Sequence, residues 1–215
     1  MKTPITAVLF LTILVSGCKV DTTPDNFDYG RVEGNKYVNS YFDLEMDVPA
    51  DWFVQSQEQM ENITKVGKDM VAGDDENMKA IVKASDVNTA NLLGVFQHEY
   101  GSPVQFNPNF LVVAENVKAA PGMRTGSDYL FQSRRLLTQS QFQYDRIDET
   151  FEKETINGTD FYKMNAEVSL MGITIRQIYY STILKGFSFN VIISYSSDEQ
   201  KDSLLKVINS MTFKK

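Results

Sequence analysis

Tyr162, Met164, Ala166, Val168 and Leu170 alternate with Lys163, Asn165, Glu167 and Ser169. A period of two puts one face of the segment on a core and the other in water, which predicts a β-strand. Phe187, Phe189, Val191, Ile193 and Tyr195 repeat the pattern, and Ile173 to Leu184 between them is rich in β-branched and aromatic residues. Asn157-Gly158 is a pair favoured in two-residue type I′ hairpins, and Met171-Gly172 and Lys185-Gly186 mark further reversals. Residues 144–195 therefore predict a four-stranded antiparallel meander. The period then changes. Ser197 and Gln200 are spaced for a capping box, and Leu204, Leu205, Ile208 and Met211 follow at helical intervals, so residues 198–210 predict a helix packing one stripe on the sheet. Met211 to Phe213 reads as a short closing strand.

The first half repeats this grammar with weaker signals. Tyr37 to Val48 holds two short strands that Pro49 ends. Gln57 to Val71 places Met60, Ile63, Val66 and Met70 on one helical face, and a further turn or two of helix fits residues 75–86. Residues 91–99 and 109–117 predict strands joined through the Gly101-Ser102-Pro103 and Asn107-Pro108 turns, and Thr125 to Gln141 predicts a helix with Tyr129, Leu130, Leu136 and Leu137 inward. No linker interrupts 35–215 and no internal repeat is visible, so the expectation is one α+β domain.

The extreme amino terminus follows a different pattern. Lys2 precedes an eleven-residue apolar run, Ile5 to Val15, broken only by two threonines. A membrane-spanning helix needs about 20 such residues, whereas a signal-peptide core needs about 7–15. The run ends in Val15-Ser16-Gly17-Cys18. This tetrapeptide resembles the bacterial lipobox. The resemblance implies diacylglyceryl transfer to the Cys18 sulfur, cleavage before Cys18, and acylation of the new amino terminus. Two or three acyl chains anchor a protein stably where one does not. Residues 1–17 then form a lipoprotein signal peptide, 18–34 the lipidated cysteine and a flexible tether without helical or strand period, and 35–215 the domain. By the same resemblance Lys19, in place of an aspartate, favours the outer membrane of a Gram-negative envelope.

The chain has 215 residues, 42% of them hydrophobic, a charge of −7, one cysteine and one histidine. Loss of residues 1–17 leaves 20 basic against 28 acidic residues, a charge of −8, so the lipid on Cys18 must do the anchoring while the acidic domain is repelled by anionic lipid. The acidic balance argues against nucleic acid as a partner. A zinc site of Cys and His alone is excluded, and with Cys18 lipidated no internal disulfide can form. Candidate chemistry is sparse. His98 lies where a strand runs into a turn, no serine occupies a Gly-x-Ser-x-Gly elbow, and no glycine-rich phosphate loop is present. Asp74-Asp75-Glu76 and Glu45, Asp47 and Asp51 are the acidic clusters to weigh for Ca²⁺ against a plain solvated face, and neither has EF-hand spacing. Arg134-Arg135 reads as surface charge on a helix. Fourteen Phe and ten Tyr either fill the core or line a groove for a peptide or small ligand.

Two stretches resemble PsbP-like domains: Tyr37-x-Asn39-x-x-Phe42-x-Leu44-x4-Pro49-x-x-Trp52 near the start, and Leu204-Leu205-x-x-Ile208-x-Ser210-Met211-x-Phe213 at the end. The resemblance spans about residues 36–214. It implies an α/β/α sandwich in which helices cover both faces of a central antiparallel sheet, a fold that hosts photosystem assembly factors, a Ran-binding nuclear protein and many bacterial lipoproteins of unknown role. Pro49 and Trp52 then read as strand terminator and core plug. The expected function is that of an envelope-anchored, non-enzymatic lipoprotein that binds an envelope protein or assists an assembly, without cofactor. The alternative is a small-ligand or metal-binding module, with an enzyme ranked last.

Overall fold

Three serine- or threonine-led capping boxes start helices at the expected places. Ser56 with Gln59 opens α1 (Gln57–Ala72), Thr125 with Asp128 opens α3 (Gly126–Gln139), and Ser197 with Gln200 opens α4 (Asp198–Ser210). In each, the hydroxyl accepts an orphan amide at the helix start while the third-position side chain accepts the capping residue's own N–H. The remaining helix, α2 (Glu76–Asp86), runs three turns where one or two were expected. The computed structural model describes residues 24–86 and 88–214. The expected signal peptide, Cys18 and Lys19 lie outside the described residues, and among those described no helix is long and apolar enough to cross a membrane.

The strands form two antiparallel sheets. The smaller has the order β1 (Arg31–Glu33), β2 (Lys36–Asn39), β3 (Leu44–Asp47) and β12 (Thr212–Phe213). The larger runs β4 (Phe53–Val54), β5 (Thr89–Phe96), β6 (Asn109–Asn116), β11 (Phe187–Tyr195), β10 (Ile173–Leu184), β9 (Thr159–Leu170) and β7 (Arg146–Ile147), with β8 (Glu152–Ile156) also paired to β9. The meander is present, but its first long strand begins at Glu152 and not near residue 144. Asn157-Gly158, Met171-Gly172 and Lys185-Gly186 all adopt positive φ at both positions, the pattern that keeps a two-residue turn in step with strand twist.

Period two decides what each face of the large sheet touches. Phe110, Val112, Ile178, Tyr180, Phe189, Val191 and Ile193 face one core, together with Leu204, Val207 and Ile208 of α4 and Tyr37, Leu44 and Met46 of the small sheet. Tyr179, Ile192, Met164 and Ala166 face the other way, onto Val71, Met78, Leu130 and Leu137 of α1, α2 and α3. The architecture is thus α/β with antiparallel sheets and four helices among the described residues. Helices cover both faces of the large sheet, as expected: three lie on one face, and α4 lies on the other beside the small sheet. The small sheet packs there through Tyr37, Leu44 and Met46.

Two other expectations change. Residues 24–34 do not behave as a tether: Arg31–Glu33 pairs with β2, and Phe27 packs on the main core. A three-residue strand is too short to show a period, and the packing of Phe27 depends on rings far along the chain. In α1, Met60 and Ile63 are buried, but Val66 is 52% exposed and the inward stripe continues through Thr64, Gly67 and Val71. Those residues hold a 3.6-residue period, and Val66 falls off it.

Candidate functional site

The structure gives most of the sequence candidates structural partners. Asp75 Oδ1 accepts the amides of Asn77 and Met78 at 2.8 and 3.0 Å, so it caps α2, and Glu76 pairs with Lys79 at 2.7 Å. Lys36 lies between Glu45 (2.8 Å) and Asp47 (3.2 Å), which raises the ammonium pKa and lowers that of Glu45. Asp51 is exposed. Arg134 pairs with Glu149 at 3.1 Å and Arg135 donates to Gln132. Among the described residues no group of three or more His, Cys, Asp and Glu could hold a metal ion.

His98 is half-buried just past β5. Its backbone N–H donates to Asn107 Oδ1 at 2.9 Å and its carbonyl accepts from Asn107 Nδ2 at 2.8 Å, a clamp that joins the end of β5 to the start of β6. Trp52 packs against the main core with its ring 6.4 Å from that of Phe110, and its amide donates to the Pro49 carbonyl. The meander aromatics Phe161, Tyr180, Phe187 and Phe189 are fully buried and therefore fill the core.

Clefts open on the surface of the described residues. One of about 400 Å³ lies between α1, α2 and the start of β5, with Lys65, Lys68, Lys79 and Lys83 around a polar floor where Asn91 donates to Thr64. Glu61 and Asp69 share it, and burial lowers the Lys68 pKa. A second, about 690 Å³, exposes Phe131 and Met123 beside Asp128 and Glu149. A third, about 620 Å³, lies beside Trp52, Lys36 and Lys206. Beneath the helices Gln177 accepts from the hydroxyls of Tyr144 and Tyr179 and donates to Ser194. Burial raises both tyrosine pKa values; Gln177, Tyr179 and Ser194 are buried, and Tyr144 is half-buried at the edge of the network.

The most distinctive surface is the end of the molecule at which the described chain begins. The Phe27 amide donates to Pro24 O, and the Phe27 ring lies 4.8 Å from Tyr41, 5.1 Å from Tyr29, 5.3 Å from Phe187 and 5.9 Å from Phe42. Asp28 folds this segment back: it accepts from Gly30 N, Ser40 N and the Ser40 hydroxyl at 2.8, 2.7 and 2.6 Å, bonds that lower its pKa. Tyr37 and Asn39 donate to the Tyr29 and Asp28 carbonyls. Two lysines crown the ring cluster. Lys118 Nζ lies 5.5 Å from the Phe187 ring centre, and Lys185 Nζ lies 5.7 Å from that of Tyr41 while donating to Tyr41 O and Asp43. Sequence reading missed this group because its members come from positions 27–42, 118 and 185–187; the only local signal is five aromatics between Phe27 and Phe42.

No family model matches the chain, and no curated protein does. Solved structures similar to it include the cyanobacterial PsbP of Synechocystis sp. PCC 6803, at 14% identity and a TM-score of 0.49, covering 83% of this chain and 91% of that one. Another is LpqN of Mycobacterium tuberculosis, described as involved in cell envelope biogenesis, at 13% identity and 0.44, covering 79% and 82%. A protein of Bacteroides thetaiotaomicron is similar at 12% identity and 0.44; 86% of this chain matches, spanning half the length of that one.

Proposed function

We propose that this chain is a cell-envelope lipoprotein, held by lipid on Cys18, whose domain is a non-enzymatic module that binds a protein partner or assists assembly of an envelope complex. The observation that carries the reading is Val15-Ser16-Gly17-Cys18 directly after an eleven-residue apolar run. A thiolate takes the lipid, and small residues before it admit the peptidase. Lys19 extends the reading to an outer membrane where the envelope is Gram-negative. Among the candidate groups, Asp75 caps a helix, Glu45 and Asp47 share Lys36, and the meander aromatics pack the core, so each has a structural role.

Two experiments test it. Cys18→Ala leaves the protein unlipidated and released from the membrane fraction; retention of the variant overturns the lipid reading. Crosslinking of the wild-type protein in intact cells recovers a defined envelope protein; recovery of none removes the binding reading. The lysine-lined cleft favours one second reading, a small anionic ligand such as a phosphate ester. Thermal unfolding in inorganic phosphate tests it, because a ligand that binds only the folded state raises the midpoint. A midpoint independent of phosphate dismisses that reading.

A further inference from the structure

The tether becomes short once Phe27 is seen to belong to the fold. Only five residues separate Cys18 from Pro24, so the chain between them spans at most about 22 Å. Pro24 in turn accepts a hydrogen bond from the amide of Phe27, whose ring packs on Tyr29, Tyr41 and Phe187. We infer that this end of the domain rests on the bilayer surface, with Tyr29, Tyr41, Lys118 and Lys185 in the headgroup layer. The inference deepens the proposed function and rests on its lipid reading of Cys18.

The chemistry of the end fits a headgroup layer. Tyr29 is 46% exposed and Tyr41 is half-buried, and tyrosines settle at the level where one side of the ring is apolar and the hydroxyl is wet. Lys118 lays its stem along Phe187 and Gly186, where a Cβ on Gly186 would meet its Cγ at 2.6 Å, and such a stem leaves the ammonium free to reach lipid phosphate. Of the acids at this end, Asp28 is held by Ser40 and Gly30 and Asp43 by Lys185, while Asp25 is exposed. The chain from Cys18 onward carries a net charge of −8, so an anionic bilayer repels it as a whole, and Lys118 and Lys185 offset that repulsion at this end.

The opposite end then points away from the membrane. Strand β10 runs twelve residues from the Met171-Gly172 turn to the Lys185-Gly186 turn, about 36 Å at 3.3 Å per residue. Met171, 69% exposed, and Tyr100 lie clear of the ring cluster end.

The test uses the full-length lipidated protein in vesicles of phosphatidylethanolamine and phosphatidylglycerol containing headgroup-quencher lipid. Because Cys18 is consumed by lipid, an added cysteine is the only free thiol. A fluorophore is placed in separate proteins at Ala119→Cys, an exposed site beside Lys118, and at Met171→Cys. The orientation predicts loss of most fluorescence at 119 and none at 171. It further predicts that Lys118→Gln with Lys185→Gln reduces quenching at 119 while the protein still floats with the vesicles. Equal quenching at both sites, or stronger quenching at 171, in protein that floats overturns the orientation alone. Protein that does not float overturns the lipid reading and the orientation with it.

Discussion

Replacing Phe27 with alanine separates a folded amino-terminal segment from a tether. The ring makes four aromatic contacts with centroids 4.8 to 5.9 Å apart, joining the first described residues to the β2–β3 turn and to the start of β11. Truncating a fully buried phenylalanine costs about 3–5 kcal/mol. Phe27 is half-buried, so the expected loss is about 2–3 kcal/mol. At about 2–4 °C per kcal/mol for a domain of this size, the midpoint of thermal unfolding falls by about 4–12 °C. Circular dichroism measures it, with Val66→Ala on the exposed side of α1 as the control that changes little. Trypsin gives a second readout at Arg31, which pairs with Val38 in the wild type and becomes open to cleavage in the variant. An unchanged midpoint together with rapid cutting of the wild type at Arg31 would refute the reasoning.

Three further outcomes follow from the geometry. Gly126→Ala drives a Cβ into the Ser181 carbonyl oxygen, a backbone atom that cannot swing aside, so α3 must lift from β10 at a cost of about 1–3 kcal/mol; a midpoint equal to wild type contradicts that contact. Met171 occupies the left-handed region at φ 49°, which asparagine adopts more readily, so Met171→Asn stabilises by about 0.5–1 kcal/mol in chemical denaturation, and no gain argues against strain there. Burial raises the folded-state pKa of Tyr37, Tyr144, Tyr179, Tyr180 and Tyr195 above the ordinary value of 10.0. Their unfolded forms therefore lose protons first, and the stability they contribute is fully present below pH 10 and is lost as pH rises above it. Phenolate absorbance from these five should appear together with loss of circular dichroism, and full ionisation in a folded protein would contradict their burial.

The parts that were legible in the sequence are those whose signals are local. The alternation from Tyr162 to Leu170, the Asn157-Gly158 turn and the Ser197–Gln200 box each specify their own element within a dozen residues, and each is observed. The errors lie where tertiary contact decides. Residues 31–33 form a strand only because β2 lies beside them, and Phe27 is part of the core only because Phe187 and Tyr41 meet it. The acidic triplet at 74–76 could not be told from a calcium loop by composition, since the hydrogen bonds from Asn77 and Met78 that make Asp75 a cap appear only once α2 is folded. The lysine cleft is likewise assembled from two helices whose separate charge patterns look like ordinary solvated faces.

The account depends most directly on the chemical state of Cys18. Mass spectrometry of the amino-terminal peptide from protein extracted from its native membrane measures that state. The prediction is a chain that begins at Cys18, with diacylglyceryl on the sulfur and an acyl group on the new amino terminus. A chain that begins at Met1, or one that carries an unmodified Cys18 thiol, contradicts it.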